Sequence, residues 1–183
     1  SLSSTGFYKT PDIHFDREKG KGKPFHYFAY GMSISEVELD VFTGQHDLLR
    51  TDILHDVGAS INPLLDKGQI EGAFVQGLGW VTMEELRYDE QGHLLTHSPD
   101  TYKIPTIDDI PRDFRVAFTK NTANPHNIKQ SKAVGEPPFV HGLSVWLALK
   151  DAISAVFDHK KEPDLSIPAT HEAIVLCIER MKG

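Results

Sequence analysis

Apolar and polar residues alternate most clearly over 34–41. Ile34, Val37, Leu39 and Val41 are apolar, and from Glu36 onward Glu36, Glu38 and Asp40 interleave with them at period two. That pattern predicts a strand with one buried face. Thr43, Gly44, Gln45 and His46 supply a turn, and a second strand over about 48–57 is predicted to pair antiparallel with the first. Residues 56–63, with Gly58, Asn62 and Pro63, read as a loop. Helical spacing follows. Ile70, Ala73, Phe74, Gly77, Leu78 and Val81 fall on one stripe, which predicts a helix over 65–84. Gly72, Gly77 and Gly79 lie inside it, each costing a helix about 1 kcal/mol relative to Ala. Close approach of another backbone, or of a bound ligand, would offset that cost.

A second hairpin is predicted from 85–88 and 93–97 around Asp89 to Gly92. Pro105 keeps Ile104 out of the helical region, so 102–105 should be extended. A short strand follows over 115–119, then a polar loop over 121–131. Residues 142–157 read as a helix with Leu143, Leu147, Ala148 and Ala152 inward. The last helix should start near Pro168 or Thr170, with Thr170 as N-cap. Ile174, Leu176, Cys177 and Met181 give it an apolar side, and Arg180 and Lys182 suit its C-terminal end. Residues 1–24, rich in Gly, Lys, Ser and Pro, read as an irregular lead-in. Hairpins mixed with isolated helices predict an α+β fold, antiparallel hairpins packed with helices, in one domain over 1–183.

Composition narrows the class. Apolar residues make up 39% and charged residues 25% of 183, ordinary for a globular protein with a core. The net charge of -7 and the lack of a long basic run argue against nucleic acid or an anionic membrane as partner. The basic stretches 17–23 and 159–161 read as solvated loop charge. No apolar run is long enough to span a bilayer. The lone Cys177 makes no internal disulfide, so a reducing, cytoplasmic setting is expected, with Cys177 a small buried hydrophobe. No cysteine pairs exist for an iron–sulfur cluster or a structural zinc. Ser1 is neither an initiator Met nor part of a signal-peptide pattern, and the expectation is a piece of a longer polypeptide.

Glu136 is the most conspicuous candidate for chemistry. It lies between Gly135, which permits close backbone approach, and Pro137-Pro138, which should force Glu136 extended. A rigid loop feeding a helix near Gly142 would mount one carboxylate well, although by residue type alone a solvated loop acid is the commoner outcome. Gln69 lies near the predicted start of the glycine-rich helix, where free N–H groups favour polar ligands. Its amide offers a donor and an acceptor to a heterocycle, and a Gln facing water is the bland alternative. Gln76 is expected to be a packing or capping amide. His93 and His97 sit in a predicted hairpin too far apart to chelate, and His46, His55, His126 and His141 show no ligand spacing. Glu84-Glu85 and Asp108-Asp109 are expected to face solvent. No phosphate loop, nucleophile elbow or dinucleotide fingerprint is present.

Several stretches, in one order, resemble a single family. They are Leu2-Ser-Ser-Thr-Gly-Phe-Tyr-Lys-Thr-Pro11, Ser35-Glu-Val-Glu-Leu-Asp40, Arg50-Thr-Asp-Ile53, Asp56-Val-Gly58, Gly68-Gln-Ile-Glu-Gly-Ala-Phe-Val-Gln-Gly-Leu-Gly79, Thr101-Tyr-Lys-Ile-Pro105 and Ser131-Lys-Ala-Val-Gly-Glu-Pro-Pro138. Together they look like the molybdenum-cofactor subunit of the xanthine dehydrogenase (xanthine oxidase/aldehyde oxidase) family. Ser166-Ile-Pro-Ala-Thr170 resembles the segment before that subunit's end. The resemblance implies a C-terminal portion of a molybdopterin-binding domain. It implies Glu136 as general base, Gln69 bonding the pterin, Gly135 lying against the cofactor, and no side-chain ligand to the metal. It further implies a purine substrate, with xanthine and hypoxanthine oxidised to urate, and FAD and 2Fe-2S clusters on other domains or subunits of an oligomeric enzyme. Purine-recognition residues are expected upstream of Ser1, so the piece alone should be inactive. Pro137-Pro138 favours the xanthine branch, since aldehyde oxidases resemble Gly-Glu followed by Ser. An aldehyde or N-heterocycle hydroxylase, and a cofactor-free scaffold module, are the alternatives.

Overall fold

The computed structural model describes residues 2–120 and 124–183. The predicted hairpin is present as β3 (Gly31–Leu39) and β4 (His46–His55), antiparallel, with a register shift between Glu36 and Val37. On β3, Ser33, Ser35, Val37 and Leu39 face inward while Met32 and Ile34 face out. Two serines on the inner face are unusual for a core strand. They meet a polar cluster described below.

The helix α1 spans Pro63–Thr82, two residues earlier at each end than its apolar pattern suggests. Asn62 caps it, its side chain accepting from the N–H groups of Leu64 and Leu65. All six residues of the predicted stripe are buried. The strand β5 (Asp113–Phe118) returns beside β4 and pairs with it in parallel. Only an antiparallel arrangement was expected. Parallel partners need a crossover connection, and α1 with the segment 83–112 provides it. The three-stranded sheet therefore runs β3-β4-β5, with β4 central. Phe114 of β5 packs on Phe74 of α1 at a ring separation of 5.1 Å.

A 3-10 helix over Pro137–Gly142 leads directly into α2 (Leu143–Ala155), and α3 (His171–Lys182) closes the fold. The inward face of α2 carries Val145, Leu149 and Ile153, whereas Leu147 is 57% exposed. The predicted set of Leu143, Leu147, Ala148 and Ala152 is rotated from the real one. Leucines occur on both sides of this helix, so periodicity alone fixes its face poorly. In α3, Ile174, Cys177, Ile178 and Met181 are buried and Leu176 points out, with Thr170 capping Ala173 N–H as expected. The core joins β4, α1, α2 and α3 through Ile53, Phe74, Val81, Leu149, Ile153 and Ile178.

Two regions differ in detail from their patterns. Within the lead-in, β1 (His14–Asp16) and β2 (Lys21–Lys23) form a small exposed hairpin. The predicted 85–97 hairpin is reduced to a single bridge between Tyr88 and Leu94. Residues 124–131 are loop with a short 3-10 turn at Ile128–Gln130, while 121–123 of the predicted polar loop lie outside the described residues.

Candidate active site

Glu136 forms part of the wall of a cleft of about 530 Å³, together with Gly135, Gln76, Trp80, Glu84 and Phe139. Two elements make this cleft: the outer face of α1 and the start of the 3-10 helix. They touch backbone to backbone. A side chain on Gly77 would overlap the Phe139 carbonyl, and one on Gly142 would overlap the Gly77 backbone. The predicted reason for a glycine inside α1 is thus met at Gly77. At Gly79 the neighbours are the Glu84 carboxylate and the Pro105 ring, 2.6 Å from the nearest point of a notional side chain. Gly72 has nothing within 4 Å, so no contact in this structure explains it.

Glu136 itself is exposed. Its backbone is helical, with φ -107° and ψ -41°, not extended as Pro137 would suggest. The preference before proline is overridden because Glu136 begins the 3-10 helix, its carbonyl accepting from Phe139 N–H at 3.0 Å. Phe139 stacks on Trp80 with ring centres 5.3 Å apart, lining the cleft with a flat aromatic surface. Also in the cleft wall, Glu84 accepts a hydrogen bond from the Tyr102 hydroxyl at 2.6 Å. That bond pushes the Tyr102 hydroxyl pKa up. Glu84 was expected to face solvent, yet it belongs to the cleft.

Gln69 lies in the second turn of α1, beyond the free N–H groups of the helix start. Its importance is lateral. A side-chain carbon on Gly135 would come within 3.2 Å of Gln69 Oε1. The structure thus brings Gln69 of α1 against Gly135, the residue before Glu136, while Gly135 and Glu136 line the cleft and Gln69 is not part of its wall. Gln76, two turns along, is a cleft residue and not the packing amide expected. The signal that could have found it is helical spacing: Gln69, Gly72 and Gln76 share the exposed face of α1.

Behind the cleft lies a polar cluster that spacing could not reveal. His55 Nδ1 and His141 Nε2 are 2.9 Å apart and buried. His141 Nδ1 is 3.1 Å from Ser33 Oγ, and Ser35 bonds both Thr51 and Ser144. Asp56 forms a buried ion pair with Lys132. Among the described residues no three His, Cys, Asp or Glu side chains converge to hold a metal ion.

The family model of the molybdopterin cofactor-binding domain matches residues 1–111. The xanthine dehydrogenase/oxidase of Gallus gallus is 54% identical over 95% of this chain, which spans 13% of that relative. Aldehyde oxidase 1 of Cavia porcellus is 48% identical over 98% of this chain, which spans 14% of it. The solved CO dehydrogenase from Oligotropha carboxidovorans superimposes with a TM-score of 0.74 and 26% identity, covering 84% of this chain and 18% of that one.

Proposed function

This chain belongs to the molybdopterin cofactor-binding family, with xanthine dehydrogenases and aldehyde oxidases among its relatives, and from that premise we propose that it carries the general base of a molybdenum hydroxylase acting on xanthine and hypoxanthine. The observation that supports this most is that Glu136 lines a cleft whose neighbouring wall residue, Gly135, lies against the amide oxygen of Gln69.

The residues fit a pterin cofactor that brings its own metal ligands. Gln69 offers an amide donor and acceptor to a heterocycle edge. Gly135 leaves its backbone open, since any side chain there would crowd Gln69 Oε1. Oxygen insertion and uptake of two electrons are the chemistry the bound molybdenum cofactor supplies. What this chain adds is a proton acceptor: the Glu136 carboxylate removes a proton from the oxygen nucleophile as it adds to an electron-poor carbon. Trp80 and Phe139 give the cleft an apolar flank against which a planar ring can lie. FAD and 2Fe-2S clusters, as electron carriers, belong to other parts of the assembled oligomeric enzyme in this reading.

Xanthine is preferred to an aldehyde on the Pro137-Pro138 pair that follows Glu136. The test is Glu136→Gln in the intact enzyme. Molybdenum content should be retained while kcat with xanthine falls by about 10²- to 10⁴-fold, the usual contribution of a positioned base. Undiminished turnover by that variant removes Glu136 from the role. Oxidation of an aldehyde in preference to xanthine moves the substrate to the aldehyde branch, and an intact protein without molybdenum points to a scaffold.

A further inference from the structure

We propose that the adjacent residues His55 and Asp56 form a two-point clamp that positions the Glu136 carboxylate; the inference rests on the reading of Glu136 given above. Glu136 makes no side-chain capping bond of its own, so its place is set by the segment that carries it. That segment is fastened on each side of Glu136.

Upstream, Lys132 lies four residues before Glu136. Its ammonium pairs with the Asp56 carboxylate and donates to the Phe28 carbonyl at 2.8 Å. It also stands 5.4 Å from the Tyr30 ring centre. The two side chains of the pair are only 10% and 7% exposed. The Lys132 N–H donates to the Val57 carbonyl at 2.9 Å, which fixes the backbone as well. Downstream, His141 lies five residues after Glu136 and meets His55 at 2.9 Å.

The protonation pattern of the histidine pair follows from its partners. Among the described residues His55 Nε2 is buried without a hydrogen-bond partner. Buried N–H groups are seldom left unpaired, less often than buried acceptors. His55 therefore carries its proton on Nδ1 and donates to His141 Nε2. His141 then donates from Nδ1 to Ser33 Oγ, and the Ser33 hydroxyl donates to the His141 carbonyl at 3.3 Å. The chain of bonds has one direction, so the ring of His141 and the backbone that bears it are held in one orientation.

Successive side chains along an extended strand leave on opposite faces. His55 ends β4, the central strand, and Asp56 follows it directly, so the two grips leave the C-terminal end of that strand in different directions. Between them the 3-10 helix presses on Gly77 of α1, which blocks movement toward the helix. Three constraints from two elements leave the backbone at Glu136 little freedom.

The intact molybdenum enzyme allows a direct test with xanthine as substrate. Lys132→Met and His141→Ala should each lower kcat by about a hundredfold, the scale expected for a misplaced reacting group, with KM changed by less than about threefold and molybdenum content kept. Lys132→Arg and His141→Gln, which restore a cation and an acceptor, should recover most of that loss. Without substrate, amide hydrogen exchange over 134–142 should quicken at least about tenfold in the two disrupting variants while α3 keeps its rates. Unchanged kcat or unchanged local exchange overturns the clamp, and so does acceleration spread over the whole chain or a failure of the conservative variants to rescue. If the disrupting variants do not accumulate, the unaltered enzyme decides: the amides of 139–142 should exchange as slowly as those of 53–57, and a tenfold gap overturns the clamp. Activity in Glu136→Gln would sink the base reading alone, because the exchange comparison does not depend on turnover.

Discussion

Burial holds the His141 imidazole down to about 4 against an ordinary 6.5, with neighbouring His55 as the second cause. His55 is lowered too, by burial first, with Asp56 opposing and Lys132 assisting. Both rings are neutral at pH 7. As pH falls, the unfolded chain takes up protons before the folded one does, so the stability these rings contribute is complete above about 6.5 and is lost toward 4. Urea midpoints measured between pH 7.5 and 4.5 should fall in the unaltered protein and fall less steeply in His141→Gln. Equal slopes would show that His141 is not a source of acid sensitivity. At this scale the sequence was legible only in part. Glu136 was conspicuous because glycine and two prolines flank it. The His55–His141 pair and the Asp56–Lys132 pair were not, since each joins residues more than seventy positions apart and only the folded chain brings them together at the end of β4.

The helix α1 carries two kinds of glycine. At Gly77 a methyl group would strike the Phe139 carbonyl and the Gly142 backbone, so Gly77→Ala must push the 3-10 helix outward. Such overpacking typically costs about 1–3 kcal/mol. At Gly72 the same methyl meets nothing within 4 Å, and Gly72→Ala should stabilise the chain by roughly 0.5–1 kcal/mol through helix propensity and a less entropic unfolded state. Urea unfolding of the two variants checks the contrast; stabilisation of both would mean that the 3-10 helix yields freely. Element positions followed well from periodicity in β3, β4 and α1, although Met32 and Ile34 of β3 and Leu54 of β4 put apolar residues on the outer face as well. They failed in phase for α2, where Leu147 and Val156 on the outside balance Leu149 and Ile153 within. The parallel pairing of β5 with β4 was illegible because partner choice in a sheet depends on the crossover, not on the strand's own pattern.

For the molecule as a whole, the cleft is one-sided. Gln69, Gly72 and Gln76 face outward from α1, and a side-chain carbon added at Gly68 or Gly72 would point into open space. The chain also spans only 13% of the relative from Gallus gallus. The 183-residue chain alone is expected to form no urate from xanthine, which a spectrophotometric assay at high protein concentration checks; measurable turnover would mean that one wall suffices. The mixture of hairpins and helices was readable from the order of periodicities, and the cofactor reading came from seven ordered stretches, not from any one residue. The facing glycines at 77 and 142 carry a last consequence, for how this sequence can change. Most packed contacts can drift, a larger residue on one side answered by a smaller one opposite. Here neither partner has anything left to give up. The two positions are locked together, and substitutions that would be compensated elsewhere in the core have no second step available at this joint.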